Sequence, residues 1–217
     1  MAPTQADDAS GAPLWQFVGE RVALGPHRRE LLPHYHRWIT DPDVARTLAI
    51  GVRPMTFDDE VRWYEALASQ PREVYFTFYK RATARPIGVT ALHDVDHAQR
   101  TAEFGLIIGE KDAWGKGYAT ETARMMLDYA FHALNLHNIM LTVYGNNPGA
   151  LIAYERAGFR RAGVRRQARW IGGQAIDVIW MDSLATEFTG SVLRQRLLEG
   201  RPPAPEPEPT ADKRPPA

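Results

Sequence analysis

Gly109-Glu110-Lys111-Asp112-Ala113-Trp114-Gly115-Lys116-Gly117-Tyr118-Ala119-Thr120 joins a strand-like run to a helix-like one. Before it, Thr101 to Ile108 reads as a strand. After it, Tyr118 to Leu134 places Ala119, Ala123, Met126, Leu127, Ala130 and Leu134 at helical spacing on one face. Glycines let a backbone approach a ligand closely, and free N–H groups at a helix start attract phosphate. A glycine pair before a helix is also ordinary turn material, and the stretch alone does not choose. Two familiar phosphate loops do not fit. A Walker loop needs four residues between its first Gly and the Gly-Lys pair, whereas five separate Gly109 from Gly115 and Gly117 follows Lys116. A dinucleotide fingerprint needs Gly or Ala where Thr120 stands.

Outward from this stretch the chain alternates. Phe17 to Leu24 reads as a strand, and Arg28 to Ile39 as a helix that stops before Asp41-Pro42. Thr56-Phe57-Asp58-Asp59 resembles a capping box, and its helix runs to about Ser69. Glu73 to Lys80 is a strand, Ala82 to Pro86 a turn, and Ile87 to Val95 the strand preceding Thr101 to Ile108. Beyond the long helix come a strand over Ile139 to Tyr144 and a short helix over Ala150 to Arg156, closed by Gly158. Two last strands flank the Gly172-Gly173 turn. The order β-α-α-β-β-β-α-β-α-β-β predicts a mixed sheet with helices on its faces.

Composition bounds the function. The chain has 217 residues, 26 Lys plus Arg against 26 Asp plus Glu, and no cysteine. Charge balance leaves no whole-chain basic footprint, so a nucleic-acid partner is not expected. The absence of cysteine excludes disulfides, thiolate metal sites and a cysteine nucleophile. No membrane span and no secretory signal are read, so a cytoplasmic location is the default expectation. Residues 1–13 and the Pro/Glu-rich 201–217 read as disordered tails around one folded domain over 14–200.

Asp96, Arg100, Ala102, Glu103, Gly115, Gly117, Ala119, Thr120, Asn147, Tyr154 and Gly158-Phe159 together resemble the GNAT superfamily of acyl-CoA N-acyltransferases. The resemblance runs from about Phe17 to Asp182. Its core is the pyrophosphate signature Gln/Arg-x-x-Gly-x-Gly/Ala, matched by Asp112 to Gly117 with Asp112 as a departure at the first position. The spacing is most similar to the RimJ/RimL-type and bacterial spermidine/spermine acetyltransferase branches. The resemblance implies an α/β (α+β) fold with a mixed, mostly antiparallel central sheet and helices on both faces. It implies acetyl-CoA as co-substrate, with no metal. A homodimer or larger homo-oligomer is left open.

Acetyl transfer to an amine needs a base, because a free alkyl amine near pKa 10.4 is almost all ammonium at neutral pH. Glu103 is the candidate: in a strand it shares a face with Gly105 and Ile107, away from Ala102, Phe104, Leu106 and Ile108. The plainer reading pairs it with Arg100. The family position at Tyr154 implies the acid that protonates the leaving thiolate; the plainer reading packs its ring beside Phe159. The resemblance further implies that Leu106, Ile107 and Ile108 present backbone groups to the pantetheine arm and acetyl oxygen. It assigns Trp114, Gly115, Lys116, Gly117, Tyr118, Ala119 and Thr120 to the pyrophosphate, and Asn147 to the pantetheine amides. Asn147 reads equally as a helix cap, and Asn146 adjoins it.

The acceptor is expected between the N-terminal helices and the sheet, where Asp41, Asp43, Asp58, Asp59 and Glu60 accompany Trp38, Trp63 and Tyr64. Acids and ring faces hold cations. A polyamine or other small cationic amine is preferred over a protein N-terminus, and a non-catalytic acyl-CoA-binding module is the reading from another class. His93 and His97 lie four apart without implying a metal. Arg160, Arg161, Arg165, Arg166 and Arg169 read as a solvated strand face, with contact to a coenzyme A phosphate or an acidic partner as the alternative.

Overall fold

A computed structural model describes residues 14–199. The expected tails, 1–13 and 201–217, lie outside the described residues. The strands are β1 (Phe17–Val18), β2 (Val22–Pro26), β3 (Val74–Lys80), β4 (Arg85–Asp96), β5 (Thr101–Ile108), β6 (Asn138–Tyr144), β7 (Arg160–Ile171) and β8 (Gln174–Leu184). They form one sheet in the order β1-β2-β3-β4-β5-β6-β8-β7. Every neighbouring pair is antiparallel except β5 and β6. The helices are α1 (Leu32–Thr40), α2 (Pro42–Ala45), α3 (Phe57–Leu67), α4 (Tyr118–His132), α5 (Pro148–Ala157) and α6 (Leu193–Glu199).

Strand alternation sends side chains to two layers. Phe76 and Phe78 of β3 join the core under α4 and α5, with Ala123, Met126, Leu127 and Ala130 of α4 fully buried against them. Each buried Leu or Met there contributes about 1.5–3 kcal/mol. Tyr75 and Val89 point the other way and pack with Leu32, Tyr35 and Trp38 of α1. Helices therefore cover both faces, as the sequence implied.

Three local readings are corrected. The first strand is a hairpin: β1 and β2 fold back through Gly19-Glu20-Arg21, pairing Phe17 with Leu24. The Glu121 carboxylate of α4 accepts from the Arg21 N–H at 2.8 Å and fixes that turn. Asp41-Pro42 does stop α1, but it also starts α2, since the Asp41 side chain accepts from the Asp43 N–H at 2.9 Å. The chain ends its described part with α6, for which no element was expected. Its first N–H groups, on Val192 and Leu193, both donate to the buried Asp128 carboxylate of α4 at 2.9 Å.

The feature that positions the site is a parting of two strands. β5 and β6 pair only at Thr101–Asn138, Ala102–Ile139 and Glu103–Met140. β5 stays bonded to β4 as far as Ile108, and β6 to β8 as far as Tyr144. Beyond Glu103 the two strands diverge and leave a wedge in the sheet.

Candidate active site

The wedge opens on two cavities. One, of about 1010 Å³, lies on the α1/α3 side and is lined by Glu103, Gly105 and Ile107 of β5 and by Thr142 and Tyr144 of β6. The other, of about 430 Å³, lies at the start of α4 and is lined by Leu106, Ile107, Ile108, Trp114, Gly115 and Gly117. Asn147, Ala150 and Tyr154 of α5 border both. Tyr154 thus stands where the two meet.

The smaller cavity has the chemistry of a phosphate cradle. Gly115 and Gly117 sit at φ +70° and +79°, the left-handed region that favours glycine. A side chain on Gly115 would project into open space, and α4 begins without a side-chain cap, so its first N–H groups are left for a ligand. The residues therefore fit a pyrophosphate. Arg21, which the sequence reading did not single out, braces this loop. It donates to the Lys116 carbonyl at 2.9 Å and pairs with Glu121 at 3.3 Å. Only the hairpin brings Arg21 here, and its spacing of about a hundred residues gave no signal. Asp112, the departure from the signature, bonds Arg85 at 3.1 Å, which holds its carboxyl below the usual carboxylate range.

Other expected ligands divide by role. The Trp114 indole donates to the Ile108 carbonyl at 2.9 Å, so that carbonyl already has a partner. The Thr120 hydroxyl donates to the Ala153 carbonyl at 3.2 Å, tying α4 to α5. Tyr118 is buried yet borders this cavity, whereas the Lys116 side chain is exposed outside its lining. The Asn147 side chain caps α5 through the Ala150 N–H at 3.2 Å. Its amide nitrogen has no partner among the described residues. Asn146 lines neither cavity.

Glu103 is half-buried and faces His93 across β4. It is not paired with Arg100, whose guanidinium donates to the Asn135 carbonyl at 2.8 Å. Among the described residues the Glu103 carboxylate has no hydrogen bond or ion pair. Tyr154 is 8% exposed, edge-on to Phe104 and Phe159 with ring centroids 5.9 and 6.0 Å apart. Burial pushes its phenol up to about 12, so it stays protonated at neutral pH.

The acceptor acids sort out differently from the expectation. Asp41 and Asp43 are held by Lys111 at 2.8 and 2.9 Å, and Asp58 is exposed outside the cleft. Asp59 completes the capping box with Thr56. Only Asp59 and Glu60 of the five line the cleft. Trp38 and Trp63 line it too; Tyr64 does not. His93 is engaged by Glu73 at 2.6 Å. Among the described residues no three His, Asp or Glu side chains group to hold a metal. The arginine face of β7 is largely exposed, with Arg160 paired to Glu187 and Arg161 to Glu155. Arg169 departs from it: it donates to the Leu48 and Ala49 carbonyls and lies 5.2 Å over the Tyr144 ring. That latch holds the 46–51 segment against the wedge.

Residues 21–160 match the acetyltransferase (GNAT) domain family. The chain belongs to the GNAT acetyltransferase family. Its class is therefore N-acetyltransferase. It is 26% identical over 175 residues to the uncharacterized N-acetyltransferase p20 of Bacillus licheniformis, a match covering 79% of this chain and 97% of that protein. It is 37% identical over 102 residues to the spermidine N(1)-acetyltransferase of Vibrio cholerae, covering 47% of this chain and 58% of that one. The putative ribosomal N-acetyltransferase YdaF of Bacillus subtilis is 31% identical over 103 residues, 48% of this chain and 56% of that one. Among solved structures, spermidine N-acetyltransferase from Vibrio cholerae in complex with CoA and spermine superposes with a TM-score of 0.71 at 28% identity, covering 78% of this chain and 98% of that chain. No helix among the described residues is long and apolar enough to cross a membrane.

Proposed function

We propose that this protein transfers the acetyl group of acetyl-CoA to a primary nitrogen of a small cationic amine by direct attack. The observation that carries the reading is Tyr154 at the junction of a phosphate-cradle cavity and an acid-bearing cleft. The cradle at Gly115 to Thr120 receives the pyrophosphate. The diverging edges of β5 and β6 leave backbone groups that a pantetheine arm satisfies, and Asn147 adds its free amide nitrogen. The thioester then lies along the wedge, with its carbonyl toward β5.

The amine enters from the larger cleft. Glu103, unpaired on the cleft side of β5, takes the ammonium proton directly or through water. The nitrogen attacks the carbonyl carbon, the C–N bond forms, the nitrogen gives up its second proton to water in the cleft, and the C–S bond breaks. Tyr154 gives its proton to the departing sulfur and is reprotonated from solvent. Burial that raises the phenol also raises the thiol beside it, so the two stay close enough for transfer. The products are the acetylated amine and coenzyme A.

The relatives that act on spermidine support a small amine over a protein N-terminus. Competition settles the choice. With acetyl-CoA saturating, kcat/KM for spermidine should exceed that for a short peptide with a free N-terminus by at least tenfold. A preference for the peptide would reverse the assignment.

A further inference from the structure

Five carboxylates line the larger cleft: Asp59, Glu60, Glu73, Asp94 and Glu103. Three are consumed by the protein itself. Asp59 holds the Thr56 N–H at 2.8 Å and pairs with Arg62. Glu73 pairs with His93, and Asp94 lies 3.7 Å from Arg72. Two are not, Glu103 and Glu60. Glu60 is the unexpected one, because it is only 2% exposed. Its backbone N–H donates to the Thr56 carbonyl, but its carboxylate has no hydrogen bond or ion pair among the described residues, and His36 of α1 is the one ionisable group close enough to act on it. Arg53 lines the same cleft but is exposed, and it makes no ion pair with Glu60. A buried carboxylate without a partner carries a large desolvation cost. Such a group calls for a partner that arrives from outside.

The rings that line the same cleft name that partner. His27, Trp63 and Tyr75 line the cleft as a set of crossed rings, with Trp63 5.7 Å from His27 and 5.3 Å from Tyr75. His27 stacks on Tyr35 at 4.0 Å, and both its ring nitrogens are buried without partners. Burial lowers it to about 3, so it is a neutral ring that does not repel a cation. Ring faces and a desolvated carboxylate together recognise an ammonium.

We infer that Glu60, in the cleft that His27, Trp63 and Tyr75 also line, holds a second, distal ammonium of a di- or polyamine while the reacting nitrogen lies at Glu103. The inference rests on the acetyl-transfer reading above and adds to it a specificity-determining residue. Glu103 on β5 and Glu60 on α3 then read the two ends of one acceptor. A monoamine satisfies Glu103 and leaves Glu60 unpaired.

The test compares 1,4-diaminobutane with n-butylamine as acceptors for wild type and Glu60→Gln. Wild type should favour the diamine in kcat/KM by roughly 10–100-fold, the worth of one charged contact. In Glu60→Gln that preference should fall to about one, through a raised KM for the diamine, with kcat and the monoamine constants little changed. Gln is isosteric and removes a buried charge. The ratio of two acceptors within one preparation is also independent of how much of it is folded. A preference that survives in Glu60→Gln overturns the inference, as does a wild type without one. A wild type that binds acetyl-CoA and acetylates neither amine, nor any other, sinks the acetyl-transfer reading itself and this inference with it.

Discussion

The Tyr154 ring lies edge-on to Phe104 and Phe159, and its hydroxyl has no hydrogen bond among the described residues, so Tyr154→Phe should keep the packing and lose only the hydroxyl proton. Turnover should fall by roughly 10²–10⁴ with melting and acetyl-CoA affinity nearly unchanged. Wild-type turnover, measured where chemistry is rate-limiting, would leave water as the acid. Glu60 makes a thermodynamic prediction of its own. Burial pushes its carboxyl from 4.5 up to about 7, with His36 across on α1 opposing the shift. Below pH 4.5 both folded and unfolded chains hold the proton, and there is no penalty. As pH rises from there, the unfolded chain ionises first and stability drains away, until the folded carboxyl ionises near 7. At about 1.4 kcal/mol per pKa unit the full penalty is about 3 kcal/mol. Glu60→Gln should therefore match wild type at pH 4 and be more stable by up to about 3 kcal/mol at pH 8, in denaturant titrations at the two values. Equal stability at both would show that the carboxylate has a partner. Glu60 was visible in the sequence only as one of five acids. Which of them the fold consumes depends on Lys111, Thr56 and Arg62, and on how α3 seats against the sheet, none of which composition encodes.

The elements that deliver these residues were legible where their signals are local. The capping box Thr56-x-x-Asp59 forms as its spacing implied and sets the start of α3, one residue before the turn that carries Glu60. Thr56→Ala should cost about 1 kcal/mol of stability in urea unfolding. A neutral change would mean that the helix start is held by packing alone. The strand period of β5 likewise sorted Glu103 from Phe104 correctly. Illegible were the elements whose partners are remote in sequence. The N–H groups of α6 rest on Asp128, 64 residues before Val192, and Arg21 reaches the phosphate loop only through a turn read as continuous strand. Arg21 is half exposed, so its ion pair adds under about 1 kcal/mol to stability. Its hold on the Lys116 carbonyl matters for the cradle. Arg21→Ala should weaken acetyl-CoA binding roughly tenfold in calorimetry, the scale of one charged hydrogen bond, with little change in melting. Unchanged affinity would show that the loop keeps its shape without the brace.

At the scale of the whole molecule, function rests on two strands that pair for three residues and then part. Periodicity could place β5 and β6 but not their divergence, which arises because β5 follows β4 while β6 follows β8. The divergence leaves a cavity at the start of α4 and an acid-bearing cleft on the α1/α3 side, with Tyr154 bordering both. The Arg169 latch from β7 closes the cleft with the 46–51 segment, a use of the arginine face that its charge pattern did not reveal. In the proposed reaction an acetyl group passes through this wedge from thioester to amine. The most direct measurement follows acetyl-CoA with a panel of amines, reading free thiol and the mass of the acceptor together. Thiol release should depend on amine and match, one for one, an acceptor heavier by one acetyl group, fastest with di- and polyamines. Tight binding of acetyl-CoA with no amine acetylated anywhere in the panel would contradict it and leave an acyl-CoA-binding module.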